Sequence, residues 1–335
     1  MTNMTKAIGL LSGGLDSTLA VKLMLNQGIE VVALNFITPF CTCTRKGCKH
    51  EANRIAEKFD IPIKVVAASG EYIKIVKNPK HGYGKNMNPC IDCRIFMLKE
   101  AKKYMEEISA SFLFTGEVLG QRPMSQRKNA MKIIEKEAGL EGLILRPLSA
   151  RFLEPTIPER EGLVNRERML NIRGRWRKPQ MELAEEFGIE DYQCPAGGCR
   201  LTDPQFAKRV KEAFEHDEDD IQDMNLLKYG RHFRLPSGVK VIVGRNEEEN
   251  SIISRFAGER DLLMEVVDFG SPITLLKNSC DERDIKMAAS VCVRYSNYKG
   301  KAEVKIGCRE RWEKTLFVEP IKEEFKKYLI GGIST

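Results

Sequence analysis

Two sets of residues in this chain are spaced for chemistry: a glycine- and serine-rich loop near its start, and cysteines gathered in groups. The loop is Ser12-Gly13-Gly14-Leu15-Asp16-Ser17-Thr18. Ahead of it, the apolar run Ala7-Ile8-Gly9-Leu10-Leu11 reads as a short buried strand. Behind it, Leu15, Leu19, Leu23 and Met24 fall on one helical face that ends at Gly28. Strand, Gly-rich turn and helix together aim backbone N–H groups and a helix N-terminus at phosphate. The G-x-x-x-x-G-K-[ST] alternative requires a lysine for the terminal phosphates, and this loop has none. Backbone N–H groups at Gly13, Gly14 and their neighbours, with the hydroxyls of Ser12 and Ser17 and with Thr18 beside them, are therefore expected to hold the β- and γ-phosphates of a nucleotide. Asp16 would fix the loop or approach Mg²⁺.

The ten cysteines do not read as a disulfide framework if the protein resides in a reducing compartment. Cys41, Cys43 and Cys48 form one group, Cys90 and Cys93 a second, Cys194 and Cys199 a third. Cys280, Cys292 and Cys308 lie apart among apolar neighbours, as small buried side chains do. Asn88-Pro89-Cys90-Ile91-Asp92-Cys93-Arg94 places a C-x-x-C at the start of a helix, where the helix terminus and Arg94 should both lower a thiol pKa. Such a pair serves as a redox couple, a zinc half-site or an iron–sulfur half-site. Further ligands are available in Cys194-Pro195-Ala196-Gly197-Gly198-Cys199. Cys41, Cys43, Cys48 and His50 have donor types that suit zinc, but C-x-C-x4-C lacks the usual opening; they could equally tie down a loop.

These residues need elements to carry them. A chain of 335 residues can form two or three domains, and 42% hydrophobic with 30% charged residues is the composition of a soluble protein. No apolar run approaches a membrane span, and the few residues before the first strand leave no room for a signal peptide, so a cytoplasmic location is expected. Residues 5–150 alternate strand and helix patterns, with strands near 6–11, 30–37, 61–67, 111–115 and 142–147 and helices at 15–27, 49–59, 92–108 and 125–138. That pattern predicts a doubly wound parallel α/β sheet over 1–150, whose ligands gather at the C-terminal strand ends. Asn35 and Phe36, ending the second strand, would meet an adenine or simply fill the strand end. Residues 151–210 read as a substrate-facing extension with a helix near 178–187, 211–227 as an acidic linker or the solvated end of a helix, and 228–335 as a small α+β domain. The net charge of +7 is compatible with a nucleic-acid partner. It is concentrated around Arg173, Arg175, Trp176, Arg177 and Lys178, where cations could meet phosphates and the indole could stack on a base.

With these residues in view, the loop resembles the PP-loop of the ATP pyrophosphatases, whose fold is of the adenine nucleotide alpha hydrolase type. Ser12–Thr18, Asn88–Arg94 and Thr115-Gly116-Glu117-Val118-Leu119-Gly120-Gln121 together resemble the tRNA thiouridine synthetases, over roughly residues 5–205. The third run is similar to the T-G-E-x-L-G-Q segment of the 4-thiouridine enzymes. That resemblance implies adenylation of a uridine carbonyl oxygen by ATP and replacement of the AMP by sulfur, on tRNA. It implies that Thr115, Gly116 and Gln121 join the nucleotide site. It also implies one of two sulfur chemistries: a [4Fe–4S] cluster on Cys90, Cys93 and Cys194 (zinc being the other metal such thiols take), with Cys199 as fourth ligand or persulfide carrier, or Cys93 as nucleophile with Cys199 as its resolving partner. Neither a THUMP domain nor a rhodanese-like domain is recognisable, so sulfide or a separate cysteine desulfurase is the expected sulfur source, and a homodimer is one way to span a tRNA. Phe233–Asn246, followed by Asn250, resembles the RNA-binding domain of the NFACT family, although Glu265–Ser271 lacks that family's tryptophan–histidine segment. Two other functions fit parts of the pattern: a PP-loop enzyme forming amides or nitriles on small metabolites, and a non-catalytic RNA-binding protein on an ATP-fold scaffold.

Overall fold

The computed structural model describes residues 4–41, 47–190, 192, 199–278, 281–308 and 311–331, without the side chains of residues 47–49. The chain divides into two compact units, Met1–Arg200 and Leu201–Thr335. Among the described residues no helix is long and apolar enough to cross a membrane.

In the first unit the elements follow in the order β1 (Lys6–Leu10), α1 (Leu15–Leu25), β2 (Glu30–Ile37), α2 (Gly47–Lys58), β3 (Ile63–Ala67), α3 (Gly70–Lys77), α4 (Cys90–Glu107), β4 (Phe112–Thr115), α5 (Lys128–Ala138), β5 (Ile144–Leu145), α6 (Ile157–Arg160) and α7 (Lys178–Glu186). The five strands form one parallel sheet in the order β3-β2-β1-β4-β5. The chain winds outward from β1 in one direction, then returns to lay β4 on its other side, so the switch point lies between β1 and β4. Leu10 is paired with Thr115 there, and the loops that follow both strands open from the same edge.

Both faces of this sheet are buried, which is why its strands read as nearly continuous apolar runs. Ala7, Phe112 and Phe114 pack on one face with Leu15, Leu19 and Ile55 of α1 and α2. Ile8, Leu10 and Leu113 pack on the other with Ile95, Leu98 and Ile134 of α4 and α5. Gly9 is required by this packing: a Cβ there would lie 2.5 Å from Cζ of Phe114.

The second unit begins with α8 (Pro204–Glu215) and α9 (Ile221–Leu226), followed by β6 (Arg231–Arg234), β7 (Lys240–Val243), α10 (Glu247–Phe256), β8 (Leu262–Val266), β9 (Thr274–Leu276), α11 (Glu282–Tyr295), β10 (Ala302–Cys308), β11 (Arg311–Val318) and β12 (Leu329–Ile330). Its strands form a seven-stranded antiparallel sheet, β11-β10-β8-β9-β7-β6-β12. Ile285, Ala288, Ala289 and Cys292 of α11 cover one face, and Ile253 of α10 with Leu226 of α9 covers part of the other.

The acidic stretch 211–227 falls within the second unit, where its first residues form the end of α8. Glu218 accepts hydrogen bonds from Arg234 at 2.6 Å and pairs with the buried Lys240, while Glu212 pairs with Arg234 and lies 3.6 Å from Lys240. Burial of two cations in the β6–β7 hairpin calls for carboxylates beside them, and these two glutamates provide them. Burial works against ionisation of Glu218, but Arg234 and Lys240 outweigh it and hold the carboxyl below its usual range.

Candidate active site

The loop Ser12–Gly14 leaves the C-terminal end of β1 and enters α1 with Gly14 as N-cap and no side chain capping the first turn. Its hydroxyls brace the loop from within. Ser17 Oγ donates to the Gly14 carbonyl at 2.8 Å, Thr18 Oγ1 donates to the same carbonyl at 3.1 Å, and the Ser12 N–H donates to Ser17 Oγ at 3.3 Å. Gly13 has φ of +77°, and a Cβ on it would meet Glu51 Cβ at 2.7 Å. Asn35 is buried, and its amide donates to the Leu11 carbonyl at 2.8 Å, so it anchors the end of β1 beneath the loop. An uncapped helix start above a glycine turn is a place for an anion.

Asp16 links this loop to two other segments. Gln121 Nε2 donates to its Oδ2 at 3.0 Å, and a guanidinium nitrogen of Arg177 lies 3.6 Å from the same oxygen. Asp16 Oδ1, Gln121 Oε1 and Arg177 Nε are all buried with no hydrogen-bond partner. Orphaned polar atoms gathered at one spot cost stability unless a ligand, ion or water meets them. Gly116 lets the two loops touch: a Cβ on it would fall 2.5 Å from the backbone carbon and oxygen of Asp16 and the nitrogen of Ser17.

The basic stretch divides accordingly. Arg177 faces inward to Asp16, while Arg173, Arg175, Trp176 and Lys178 are exposed, Trp176 at 72%. Lys178 Nζ lies 5.9 Å from the Trp176 ring and Arg173 sits over Phe152 at 4.8 Å. The segment is anchored by the Gly174 N–H, which donates to the Leu119 carbonyl at 2.7 Å.

Glu117 ties the same segment to the cysteine helix. It is 2% exposed, with Arg94 Nε 2.9 Å from one carboxylate oxygen and Arg146 Nε 3.0 Å from the other, and Thr115 Oγ1 donates to it at 3.2 Å. Arg146, itself buried, also pairs with Glu135. Burial opposes ionisation of Glu117, but Arg94 and Arg146 prevail and hold its carboxyl below the usual range. Thr115–Gln121 is thus joined at Gln121 to the phosphate-type loop and at Glu117 to the start of α4.

At that start Asn88 Nδ2 donates to Cys90 Sγ at 3.4 Å, and Cys93 Sγ lies 3.2 Å from the Tyr72 hydroxyl. Cys93 keeps some surface as a residue, but its thiol is enclosed. Burial pushes that thiol up to about 11, against the lowering effects of the Tyr72 hydrogen bond and of Arg94. The helix start and Arg94 were expected to make a low-pKa thiolate here; desolvation outweighs both. Across the unit, Cys199 pairs through its backbone with Cys41 in an isolated antiparallel bridge. Tyr72 is raised well above an ordinary tyrosine, chiefly by burial and then by the charge of Cys93, whose sulfur lies 3.2 Å from its hydroxyl.

Among the described residues no three His, Cys, Asp or Glu side chains are grouped to hold a metal. Cys194 and Cys43 lie outside the described residues, as does the Cys48 side chain; His50 is exposed, 3.8 Å from Glu51. Sequence reasoning placed Arg146 at a strand end facing the cleft but passed over its partner Glu135 and over Tyr72, neither of which lies in a motif.

A five-stranded parallel sheet with a glycine loop at its switch point defines the first unit as a PP-loop domain, and the second is a separate antiparallel domain. Residues 2–151 match the family model of the thiamine biosynthesis protein ThiI, and residues 230–329 match that of the NFACT protein RNA binding domain. These matches fall on the two segments whose motifs resemble the thiouridine synthetases and the NFACT family, and each covers less than half of the chain. A probable tRNA sulfurtransferase of Ureaplasma parvum is 33% identical over 155 residues, which are 45% of this chain and 38% of the relative. The tRNA-specific 2-thiouridylase MnmA of Endomicrobium trichonymphae is 36% identical over 112 residues, 29% of this chain and 31% of that one. The chain thus spans less than two-fifths of the length of either relative. A 4-thiouridine synthetase crystallised with RNA and ATP is similar at 21% identity with a TM-score of 0.37, over 67% of this chain and 52% of that chain.

Proposed function

We propose that this chain is an ATP-dependent tRNA sulfurtransferase that adenylates a uridine carbonyl oxygen and replaces it with sulfur. The observation that carries the reading is the double attachment of Thr115–Gln121, through Gln121 to Asp16 and through Glu117 to Arg94 beside Cys93. Phosphate chemistry and thiol chemistry are thereby held on one short rigid segment. The uridine oxygen attacks the α-phosphate of ATP, pyrophosphate leaves, and sulfur then displaces AMP from the activated carbon. The N–H groups at the start of α1 and the loop of Ser12, Gly13, Gly14, Ser17 and Thr18 are proposed to cradle the phosphates. Thr115 and Gly116 close the nucleotide site from the β4 side, and Asn35 keeps the floor of the loop in place. Arg177 faces the charge that develops as pyrophosphate departs. Mg²⁺, when bound, offsets phosphate charge, and the unpartnered acceptors Asp16 Oδ1 and Gln121 Oε1 fit such an ion.

For sulfur, a [4Fe–4S] cluster on Cys90, Cys93 and Cys194 is one proposed route; Cys194 lies outside the described residues. A thiol route with Cys93 as nucleophile and Cys199 as its resolving partner is the alternative. The exposed Arg173, Arg175, Trp176 and Lys178 and the NFACT-type domain are proposed to bind the tRNA. Mass spectrometry of nucleosides from tRNA incubated with the protein, ATP, Mg²⁺ and a sulfur donor tests the function. A thiouridine peak that disappears with Asp16→Ala is expected. If ATP and RNA bind yet no thionucleoside forms, the reading fails and amide or nitrile formation on a small metabolite takes its place. Iron analysis of anaerobically purified protein separates the thiol route from the cluster.

A further inference from the structure

We infer that the outer face of strands β10 and β11 binds single-stranded RNA by stacking unpaired bases on Trp312 and Phe317. The inference rests on the reading that the second unit binds RNA, and it names the surface and the kind of RNA. Residues two apart along a strand, and residues directly opposite in neighbouring strands, point to one side of a sheet. Ala302, Val304 and Ile306 of β10 thus share the side of Leu316 and Val318, which α11 covers. Glu303 and Lys305 lie on the other side, with Phe317 opposite Glu303 and Thr315 opposite Lys305. The register shifts after Ile306, so that Lys314 is paired with Ile306 and Trp312 with Gly307. This bulge re-aims the indole. Without the extra residue Trp312 would point to the side of α11; with it, the ring shares the side of Phe317, and Lys305 Nζ lies 4.7 Å from its centre.

That side of the sheet is covered only in part. Leu263 of β8, opposite Gly307, is buried in a cluster with Ile253 of α10. Among the described residues this cover stops short of β11, where Trp312 is 43% and Phe317 61% exposed. A protein interface gathers apolar side chains and keeps charge out of its centre. Here Lys305, its partner Glu265 at 2.8 Å, and Thr315 lie along the face with the rings. Lys301, Arg311 and Lys314 flank it, exposed, against Glu303 and Glu313. Rings interleaved with cations suit bases joined by phosphates. Five residues of extended chain separate the two rings, about 16 Å. Bases in a helical strand stand about 3.4 Å apart with their faces closed to one another. Rings at this spacing each receive a base only from a strand whose bases are splayed, as in a loop or a single-stranded end. The match to the NFACT protein RNA binding domain, residues 230–329, spans both rings.

The test uses the full chain with Trp176→Phe, which leaves Trp312 as the sole tryptophan. Its emission is followed during titration with an oligouridylate of about eight nucleotides and with a blunt RNA duplex of the same length. Saturable quenching by the oligouridylate is expected, with affinity for the duplex lower by about tenfold or more. Phe317→Tyr should bind as tightly as its parent. Phe317→Leu should bind about tenfold or more weakly, since leucine keeps apolar surface and loses the stacking ring. Both variants should melt as the parent does, because the ring is exposed. Quenching that is absent, equal for the duplex, or unaffected by Phe317→Leu overturns the inference. Self-association in sedimentation that Phe317→Leu abolishes, without quenching by RNA, makes the face a contact between copies of this chain instead. The two readings fail separately. Binding of tRNA on filters with no quenching of Trp312 removes the face and keeps tRNA as the substrate. Quenching by oligouridylate, in a protein that makes no thiouridine, keeps the face and removes the sulfurtransferase.

Discussion

Glu117→Gln is the substitution that most directly tests how the site is held together. The side chain is 2% exposed, and Arg146 beside it is 4% exposed, so solvent screens little of their interaction. Glutamine preserves the shape and can still accept from Thr115, but it leaves Arg94 without its carboxylate and Arg146 with Glu135 alone. Removing one partner from a buried ion pair costs about 3–5 kcal/mol, and the retained hydrogen bonding places this case near about 3 kcal/mol. Hydrogen exchange of peptides from β4 and α4 reads this unit by itself. In the regime where exchange follows opening, that loss is about a hundredfold faster exchange. The acid dependence has a definite sign. The folded carboxyl titrates below its ordinary value of 4.5, so its contribution is complete above that value and is lost as pH falls through the folded value. The gap between wild type and variant should therefore be constant near neutrality and close only below about pH 4.5. A variant less than about 1 kcal/mol weaker at pH 7, or a gap that stays open into strong acid, would refute the buried-pair account.

Other substitutions separate the parts of the site. Gly116→Ala should destabilise the first unit by on the order of 2–3 kcal/mol and weaken ATP binding, because its Cβ would press on the backbone of Asp16 and Ser17 at 2.5 Å; calorimetric ATP titration alongside hydrogen exchange measures both. Arg177→Ala should impair ATP cleavage about tenfold or more while leaving tRNA affinity nearly unchanged. Arg175→Ala should do the opposite, and the slope of tRNA affinity against salt should fall by about one; filter binding at several salt concentrations checks this. Cys93 alkylation by iodoacetamide should climb about tenfold per pH unit from 7 to 10, as for a thiol near 11. Tyr72→Phe should slow it further, since the phenol's hydrogen bond lowers that thiol's pKa. Rate constants from peptide mass spectrometry decide it, and a plateau below pH 9 would contradict the enclosed thiol.

The parts of the fold legible in the sequence were those fixed by local signals. The run before Ser12, the two glycines and the helical face after them specify strand, turn and helix without help from distant residues. The Thr115–Gln121 motif could be recognised, but its attachment at both ends to Asp16 and Arg94 depends on a strand order that spacing does not encode. The inward turn of Arg177 was hidden for a similar reason, since a run of cations looks alike whether it faces solvent or a carboxylate. The β6 strand, Arg-His-Phe-Arg, reads as surface, yet His232 and Phe233 are fully buried and Arg234 is neutralised by glutamates from α8 and the turn after it. Charge compensation between elements leaves no periodic trace, so the pairing of Glu212 and Glu218 with Arg234 and Lys240 was not legible.

The double attachment of Thr115–Gln121 makes that segment a ruler. Its length sets how far the activating phosphates stand from the helix that bears Cys90 and Cys93, and neither end can move without carrying the other. Lengthening it by a residue between Glu117 and Gln121 would leave the phosphate loop and the cysteine helix each intact but out of gauge. Under the proposed function, the product would be a chain that activates uridine on schedule and then loses the adenylate to water, because sulfur arrives at the wrong place. Fidelity in this protein is thus a matter of dimension as well as of reactivity.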